Sequence, residues 1–420
     1  MSIKKPRGTN DILPEDSLKW QYIEDTARDI CTRYNYEEIR TPIFENTDLF
    51  QRGIGEATDI VEKEMYTFND KGGRSITLRP EGTASVVRAF LEHKIYGQAQ
   101  PTKYFYYGPM FRYERPQSGR YRQFHQMGVE VLGTDSPAID AEVISLGLQI
   151  LKELGLSDLE VHLNSVGCPV CREDYREELR DHFADDLEEL CSDCQSRYDR
   201  NPLRILDCKN EKCQEYTADA PEIIDSLCED CADHFKEVQN YLQRLDIDYI
   251  IDSSLVRGLD YYTKTAFEIM YTGLGAQDTI FGGGRYDGLA EEIGGREIPG
   301  IGFAMGMERI ILALEEQDVD LPLTTDLDLF ITTIGQPAKE TAFEYLYQLR
   351  QAGLKVEMDY LGRSVKGQMK CADRTNAQYS IILGGNELEK GTATVRNMET
   401  GEETEIKLNN LVEEMNELIA

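Results

Sequence analysis

The sequence predicts an α+β chain: a domain on a largely antiparallel sheet, interrupted by a helical, cysteine-rich insertion and followed by a small α/β domain. Three observations predict it. Strand-like runs between Ser75 and Val131 succeed one another without regular crossover helices, which favours an antiparallel sheet over a doubly wound one. Eight of the ten cysteines fall between residues 168 and 231, in an acidic stretch of helical pattern. Beyond Leu327, apolar runs and helical stretches alternate in βαβ order. The expected divisions are 1-167 with 249-320 for the sheet domain, 168-248 for the insertion and 326-420 for the last domain.

At 420 residues and 40% hydrophobic content, the chain can bury two or three cores. Met1 to Asp16 is polar and broken by Pro6, Gly8 and Pro14, unlike a signal peptide. No apolar run approaches the roughly 18 residues of a membrane-spanning helix, so no membrane partner is expected. The formal charge of -32 argues at face value against a polyanionic partner. Local clusters argue the other way: Arg112, Arg115, Arg120 and Arg122 have only Glu114 among them, and Arg363, Lys366, Lys370 and Arg374 are opposed only by Asp373.

Taken in order, Ile23, Ala27, Ile30 and Cys31 recur at helical spacing, so Trp20 to Tyr34 reads as an amphipathic helix ended by Asn35. Ile39 to Phe44 is extended, and Pro42, lacking a ladder donor, marks an edge or a break. A loop or short helix follows to Val61. Ser75 to Leu78 and Lys103 to Met110 read as strands around a helical stretch, Thr83 to Glu92. Phe111 to Arg115 and Tyr121 to Val131 read as a further strand pair about a turn at Gln117 to Gly119. Strand and loop character resumes at Asp252 to Tyr271, Met305 to Leu314 reads as an apolar helix, and acidic Glu315 to Asp326, with Pro322, reads as a linker. The last domain takes strands at Leu327 to Thr333, Lys355 to Met358 and Tyr379 to Leu383, with helices around Phe343 to Arg350 and Lys366 to Ala377.

Common nucleotide signatures are absent. No G-x-x-x-x-G-K-[ST] occurs, and Gly282 to Gly288 fails G-x-G-x-x-G because Asp287 holds the third glycine position. What remains is distributed arginine chemistry. Phe111-Arg112-Tyr113-Glu114-Arg115, followed by Phe124, offers a fork donor for a phosphate, an acceptor for an exocyclic amine and a flat ring for a base.

These residues carry a resemblance to the class II aminoacyl-tRNA synthetases, and within them to the histidyl family, over nearly the whole length. The helix and strand running to Pro42 resemble motif 1, which in the family builds a homodimer interface. Phe111 to Glu130 resembles motif 2, and Gly300-Ile301-Gly302-Phe303-Ala304-Met305-Gly306-Met307-Glu308-Arg309 resembles motif 3. Two stretches are similar to histidine-specific signatures: Leu255-Val256-Arg257-Gly258-Leu259-Asp260-Tyr261-Tyr262 and Gly283-Gly284-Arg285-Tyr286-Asp287-Gly288.

The resemblance implies cytoplasmic, ATP-dependent joining of L-histidine to histidine tRNA, with Mg2+ on the outer phosphates. Glu81 and Thr83 would hold the α-amino group of histidine with Gln126 assisting, Glu130 and Tyr262 would face the imidazole, and Gly82, Tyr261, Arg112 and Arg257 would complete the histidine contacts. A neutral imidazole offers one donor and one acceptor, so a carboxylate and a phenol can read both edges. Arg112 would take the α-phosphate, Glu114 the adenine amine, Phe124 the adenine face, and Arg120 and Arg309 the outer phosphates. Arg257, with Arg112, is the implied catalytic residue, bridging amino-acid carboxylate and α-phosphate where two anions must meet. Arg115 and Gln117 would contact the tRNA acceptor end, and Lys366 and Lys370, with Arg363 and Arg374, the anticodon arm.

The cysteines are read from spacing. Cys168/Cys171, Cys191/Cys194 and Cys228/Cys231 are C-x-x-C pairs, joined by Cys208 and Cys213; eight thiolates suffice for two four-cysteine zinc sites. His182 or His234 could substitute as ligands, or the thiols could simply be free. Other residues also have plain structural readings. Tyr261 and Tyr262 could fill a half-buried strand face, Glu81 could be a helix N-terminal charge, Gly282 to Gly284 a turn, and His125 a packed residue. Two alternatives differ in class: a regulatory paralogue that only senses histidine, and a zinc-organised nucleic-acid-binding protein. Retention of Arg112, Arg257 and Arg309 together with the C-terminal segment speaks against the first, and the second explains the cysteines but not the residues set out for ATP.

Overall fold

The computed structural model describes residues 3–55, 58–208, 210–323 and 326–419, apart from the side chains of residues 276 and 277. Parts of the expected loop before Val61, of the insertion and of the linker, and the last residue of the final domain, therefore lie outside the described residues. The chain forms two compact units, Met1–Leu321 and Pro322–Ala420.

The first unit is organised by an eight-stranded sheet. Its six inner strands, in spatial order Thr102–Phe111, Gln123–Leu132, Gly300–Gly306, Thr279–Arg285, Thr263–Met270 and Glu160–Ser165, are all antiparallel to their neighbours. Short parallel strands, Glu37–Glu38 and Ile250–Ile251, close the two edges. The antiparallel expectation is thus borne out. The helix Pro14–Arg33 begins a turn and a half before the predicted start, with Pro14 in its first turn, where a missing N–H costs nothing. It buries Ile23, Ala27, Ile30 and Cys31, and Pro137–Glu153 buries Val143, Ile144, Leu146, Ile150 and Leu151; both feed one core with the sheet residues Phe267, Phe281 and Phe303.

Two expectations change. The aromatic strand runs from Thr102 to Phe111 and itself pairs with Gln123–Leu132, in continuous register from Thr102↔Leu132 to Phe111↔Gln123, whereas the rest of the predicted hairpin arm, Arg112 to Arg115, is not strand. The strand stops before Arg112–Arg115 because Glu114 N–H turns back onto Arg112 C=O and Pro116 has no N–H, leaving residues 112–122 as a loop with only a Gln117↔Arg120 bridge. Likewise Met305 and Gly306 end a strand, and the apolar helix is Met307–Glu316. A smaller sheet pairs Ser75–Leu78 with Phe44–Asn46 and Tyr66–Asn69.

Among the described residues of 168–248 the regular structure is helical, with Pro169–Phe183, Ser192–Arg200, Glu211–Thr217 and Glu229–Arg244 as principal helices. The second unit has a five-stranded sheet in the order Val356–Met358, Leu329–Thr333, Tyr379–Leu383, Thr392–Asn397, Glu403–Lys407, the first three parallel and the last two an antiparallel hairpin absent from the sequence reading. Helices Gln336–Gln351 and Val365–Arg374 provide the expected crossovers.

Candidate active site

A cavity of about 450 Å³ opens over the middle of the large sheet. It collects side chains from distant stretches: Glu81 and Thr83, then Arg112, Glu114, Arg120, Phe124 and Gln126, then Arg257, Tyr261 and Tyr262, and finally Arg309. Two inner strands explain the convergence, since Gln123–Leu132 and Gly300–Gly306 pair Gln126 with Gly306 and Glu130 with Gly302. Motifs far apart in the chain thereby meet at one register.

At one end, Arg112 donates from Nε to the Pro80 carbonyl (2.9 Å), and its guanidinium carbon lies 5.4 Å from the Phe124 ring centroid. Glu114 forms an ion pair with Arg120, its Oε2 lying 3.0 Å from Arg120 Nε. Arg309 is tied to the Thr279 carbonyl. Backbone carbonyls and the Glu114 carboxylate therefore fix the guanidiniums of Arg112, Arg309 and Arg120 around the cavity. Glu308 accepts from the backbone N–H of His125 (3.0 Å) and approaches its Nδ1 (3.1 Å), while the His125 ring packs edge-on against Trp20. His125 is a packed residue and does not line the cavity.

Arg257 occupies the middle. It pairs with Glu268, and its guanidinium carbon is 5.7 Å from the Tyr262 ring centroid. Burial opposes its charge, but Glu268 and Tyr262 outweigh burial and hold the group protonated. Gln126 Oε1 is buried and accepts no hydrogen bond among the described residues.

At the other end, Glu81 accepts the backbone N–H groups of Thr83 (2.6 Å) and Ala84 (2.9 Å), capping the helix Thr83–Glu92. The plain reading of Glu81 as a helix N-terminal charge holds, and the same carboxylate borders the cavity. Glu130 is fully buried and is not among the lining residues. Thr83 Oγ1 donates to it at 2.7 Å, Tyr106 OH at 3.3 Å, and Tyr286 OH also bonds it. Burial pushes its carboxyl up to about 8 despite these donors. Glu130 thus lies beneath the pocket, behind Thr83 and Tyr286, rather than on its surface. Gly82 also stays outside the lining: its face is covered by the Tyr106 ring, where a Cβ would overlap.

Sequence reasoning missed several lining residues, among them Asp59, Glu64, Arg204, Asp207 and Glu268. Only Glu268, facing the same side of its strand as Ala266 and Met270, had a period-two signal. Tyr286 and Arg285 lay in a quoted stretch but differ in role. Tyr286 reaches the pocket, whereas Arg285 is fully buried behind the sheet against Asp140. Arg115 and Gln117 are exposed on the 112–122 loop and do not line the cavity. Lys366 and Lys370 belong to the second unit, exposed one turn apart on Val365–Arg374.

The eight cysteines gather as two groups, Cys168, Cys171, Cys228 and Cys231, and Cys191, Cys194, Cys208 and Cys213. Neither histidine offered as a substitute joins them: His234 Nε2 lies 2.8 Å from Asp140, and His182 Nε2 lies 3.1 Å from the Tyr216 carbonyl. Each ring is committed by its helix to another partner.

Comparison with known proteins agrees with this geometry. A family model described as histidyl-tRNA synthetase matches residues 8–310, and one described as anticodon binding domain matches residues 328–418. The histidine–tRNA ligase of Halothermothrix orenii is 66% identical over 419 residues, covering all of both chains. That of Desulforamulus reducens is 56% identical over 412 residues, covering 98% of each. The crystal structure of apo S. aureus histidyl-tRNA synthetase matches with a TM-score of 0.85 at 48% identity, covering 99% of this chain and 100% of that one. With both family models matched in order and the arginine cavity in place between the motifs, the chain belongs to the histidyl-tRNA synthetase family.

Proposed function

We propose that the chain is a histidine–tRNA ligase that activates L-histidine with ATP in the cavity over the large sheet and then transfers it to histidine tRNA. The observation that carries this is the presence of Arg112, Arg257 and Arg309, from three separate stretches, around one cavity. In the first step the histidine carboxylate attacks the α-phosphorus and pyrophosphate leaves. Two anions must approach, and fixed guanidinium groups offset that repulsion without reorganising at the moment of reaction. Arg257 serves both the carboxylate and the α-phosphate, and Arg112 the α-phosphate. Arg120 and Arg309 take the outer phosphates, Glu114 the adenine amine and Phe124 the adenine face.

Glu81, Thr83 and Gln126 meet the α-amino group, whose positive charge suits the Glu81 carboxylate and the unoccupied acceptor of Gln126. Tyr261 and Tyr262 border the imidazole, with Glu130 supporting that wall from beneath. In the second step the terminal ribose hydroxyl of the tRNA attacks the adenylate carbonyl and AMP leaves, with no side-chain nucleophile. Magnesium accompanies ATP and screens its outer phosphates. Glu268 and Glu308 are oxygen donors of the type it takes, but both already accept hydrogen bonds, so water and phosphate would complete its shell.

Residues 1-167 and 249-320 carry this chemistry. Arg115 and Gln117 reach for the acceptor end, and 326-420 grips the anticodon arm through Lys366 and Lys370. Homodimerisation is supported by Ile43, Phe44 and Phe68, exposed together at the small sheet near the motif 1 stretch. The enzyme would work in the cytoplasm, where tRNA is charged. The clustered cysteines of 168-248 serve as ligands of a structural metal, outside the chemistry. The deciding test is histidine-dependent exchange of pyrophosphate into ATP: a histidine sensor or passive binder gives none, and absence of exchange by the pure protein would exclude the ligase.

A further inference from the structure

We infer that the insertion is built on two separate zinc ions in nested order, the first and last C-x-x-C pairs holding one at its root and the four cysteines between them holding the other. The inference rests on reading these thiols as metal ligands, and adds their number, pairing and purpose.

Within each group, all four sulfurs lie within 4.8 Å of one another. Cys168 Sγ is 3.6 Å from Cys171 Sγ and 3.9 Å from Cys228 Sγ, and Cys191 Sγ is 3.8 Å from Cys208 Sγ. A tetrahedral zinc ion with bonds of about 2.3 Å spaces its sulfurs about 3.8 Å apart. Disulfides require about 2.05 Å, and each would join only two of four converging sulfurs. Apolar packing accounts for buried cysteines singly, but gives no reason for four sulfurs to surround one point.

The surroundings suit thiolates. Cys168, Cys191 and Cys228 each immediately precede a helix of nine or more residues, at the end where the dipole favours negative charge. The backbone N–H of Cys228 donates to Cys171 Sγ at 3.1 Å, and that of Cys191 to Cys213 Sγ at 3.3 Å. The same construction recurs at both sites.

Position gives the purpose. The root site adjoins the segment that carries Tyr262: Lys264 N–H donates to the Gly167 carbonyl at 2.9 Å, and Arg172 Nη1 to the Tyr262 carbonyl at 3.1 Å. The inner site adjoins the cavity wall. Arg197 pairs with Asp59 at 3.2 Å, Asn201 Nδ2 donates to Asp260 at 3.0 Å, and Arg204 lines the cavity. Each ion therefore fixes a different part of the wall around the cavity, and neither touches the reacting atoms.

Elemental analysis of the purified full chain should find two zinc ions per chain, matching the two groups. C168S/C171S and C191S/C194S should each retain one, and the quadruple variant none. Loss of the inner ion should raise KM for histidine or ATP more than it lowers kcat in pyrophosphate exchange. Should a variant fail to fold, the unaltered chain, stripped and titrated with cobalt, gives the same answer: thiolate-to-cobalt charge-transfer absorbance should saturate at two equivalents. Saturation at one overturns the two-site arrangement but keeps the thiols as ligands; no such absorbance and no bound zinc overturn both. Iron in place of zinc overturns the assignment of the ion. None of these results bears on the ligase reading, which pyrophosphate exchange tests separately.

Discussion

The guanidinium of Arg257 lies directly against the backbone of Gly282, so close that a Cβ at position 282 would overlap its Nη1. The neighbouring strand thus sets the position of the central cation through an absent side chain, while Glu268 holds the guanidinium from the side. Two substitutions separate position from charge. Arg257→Ala should lower histidine-dependent pyrophosphate exchange by roughly 10²–10³-fold, as removal of one preorganised charge-stabilising donor does elsewhere. Gly282→Ala keeps the charge but displaces it, and should cost about tenfold or more in kcat with the thermal transition nearly unchanged. Unchanged exchange in both would remove Arg257 from the reaction.

Lys366 and Lys370 project from one face of Val365–Arg374, with Arg374 a further turn along. The unit they belong to has its own core around Leu329, Ile331, Leu346 and Ile381, so substitutions on this exposed face leave its packing alone. Lys366→Ala/Lys370→Ala should raise KM for tRNA in charging assays by about tenfold, with a shallower salt dependence, because two phosphate-neutralising charges are gone. Pyrophosphate exchange, which needs no tRNA, should stay at its original rate. Equal losses in both assays would contradict the division of labour between the two units.

Much of this site was legible because its chemistry demands particular residue types in local runs. Arg112, Glu114, Phe124, Arg257 and Arg309 each stand in a short motif, and all line the cavity. What could not be read depends on contacts between distant residues. Nothing local distinguishes Glu130, which lies beneath the pocket, from Gln126, which faces it; burial by Tyr106 and Tyr286 decides. The spacing of four C-x-x-C or C-x₄-C pairs allows several groupings, and only the fold joins Cys168 to Cys228 across 60 residues. The C-terminal hairpin is a different kind of miss. Thr392–Asn397 does alternate buried and less buried positions, but with few large apolar residues its period-two signal is weak.

Arg285 shows the same limit within a motif. It stands beside Tyr286 yet turns away from the cavity to pair with Asp140, which also accepts from Thr265 Oγ1 at 2.6 Å and lies 2.8 Å from His234 Nε2. Burial opposes the Asp140 charge, but Arg285 and His234 outweigh it and hold the carboxyl below its ordinary value. Breaking this pair from one side strands a buried charge. Arg285→Ala should therefore destabilise the chain by about 3–5 kcal/mol in chemical denaturation. A loss under about 1 kcal/mol would show that water or a rearranged partner compensates for Arg285.

Glu130 makes the opposite pH prediction from a salt-bridged carboxylate. Its folded-state value, about 8, lies above the ordinary 4.5, so the folded chain holds a proton there that the unfolded chain releases first. The sign follows from linkage: the group's contribution is fully present below about pH 4.5 and is lost as pH rises towards about 8, amounting to about a few kcal/mol over that window. Glu130→Gln keeps the shape and a donor towards its partners but cannot ionise. In the ligand-free protein, the thermal midpoint of the variant should fall less than that of the parent chain between pH 5 and pH 8, with the two curves closest at the acid end. Parallel curves across that range would mean that Glu130 is already ionised when folded, held by the hydroxyls of Thr83, Tyr106 and Tyr286, and that burial does not control its protonation.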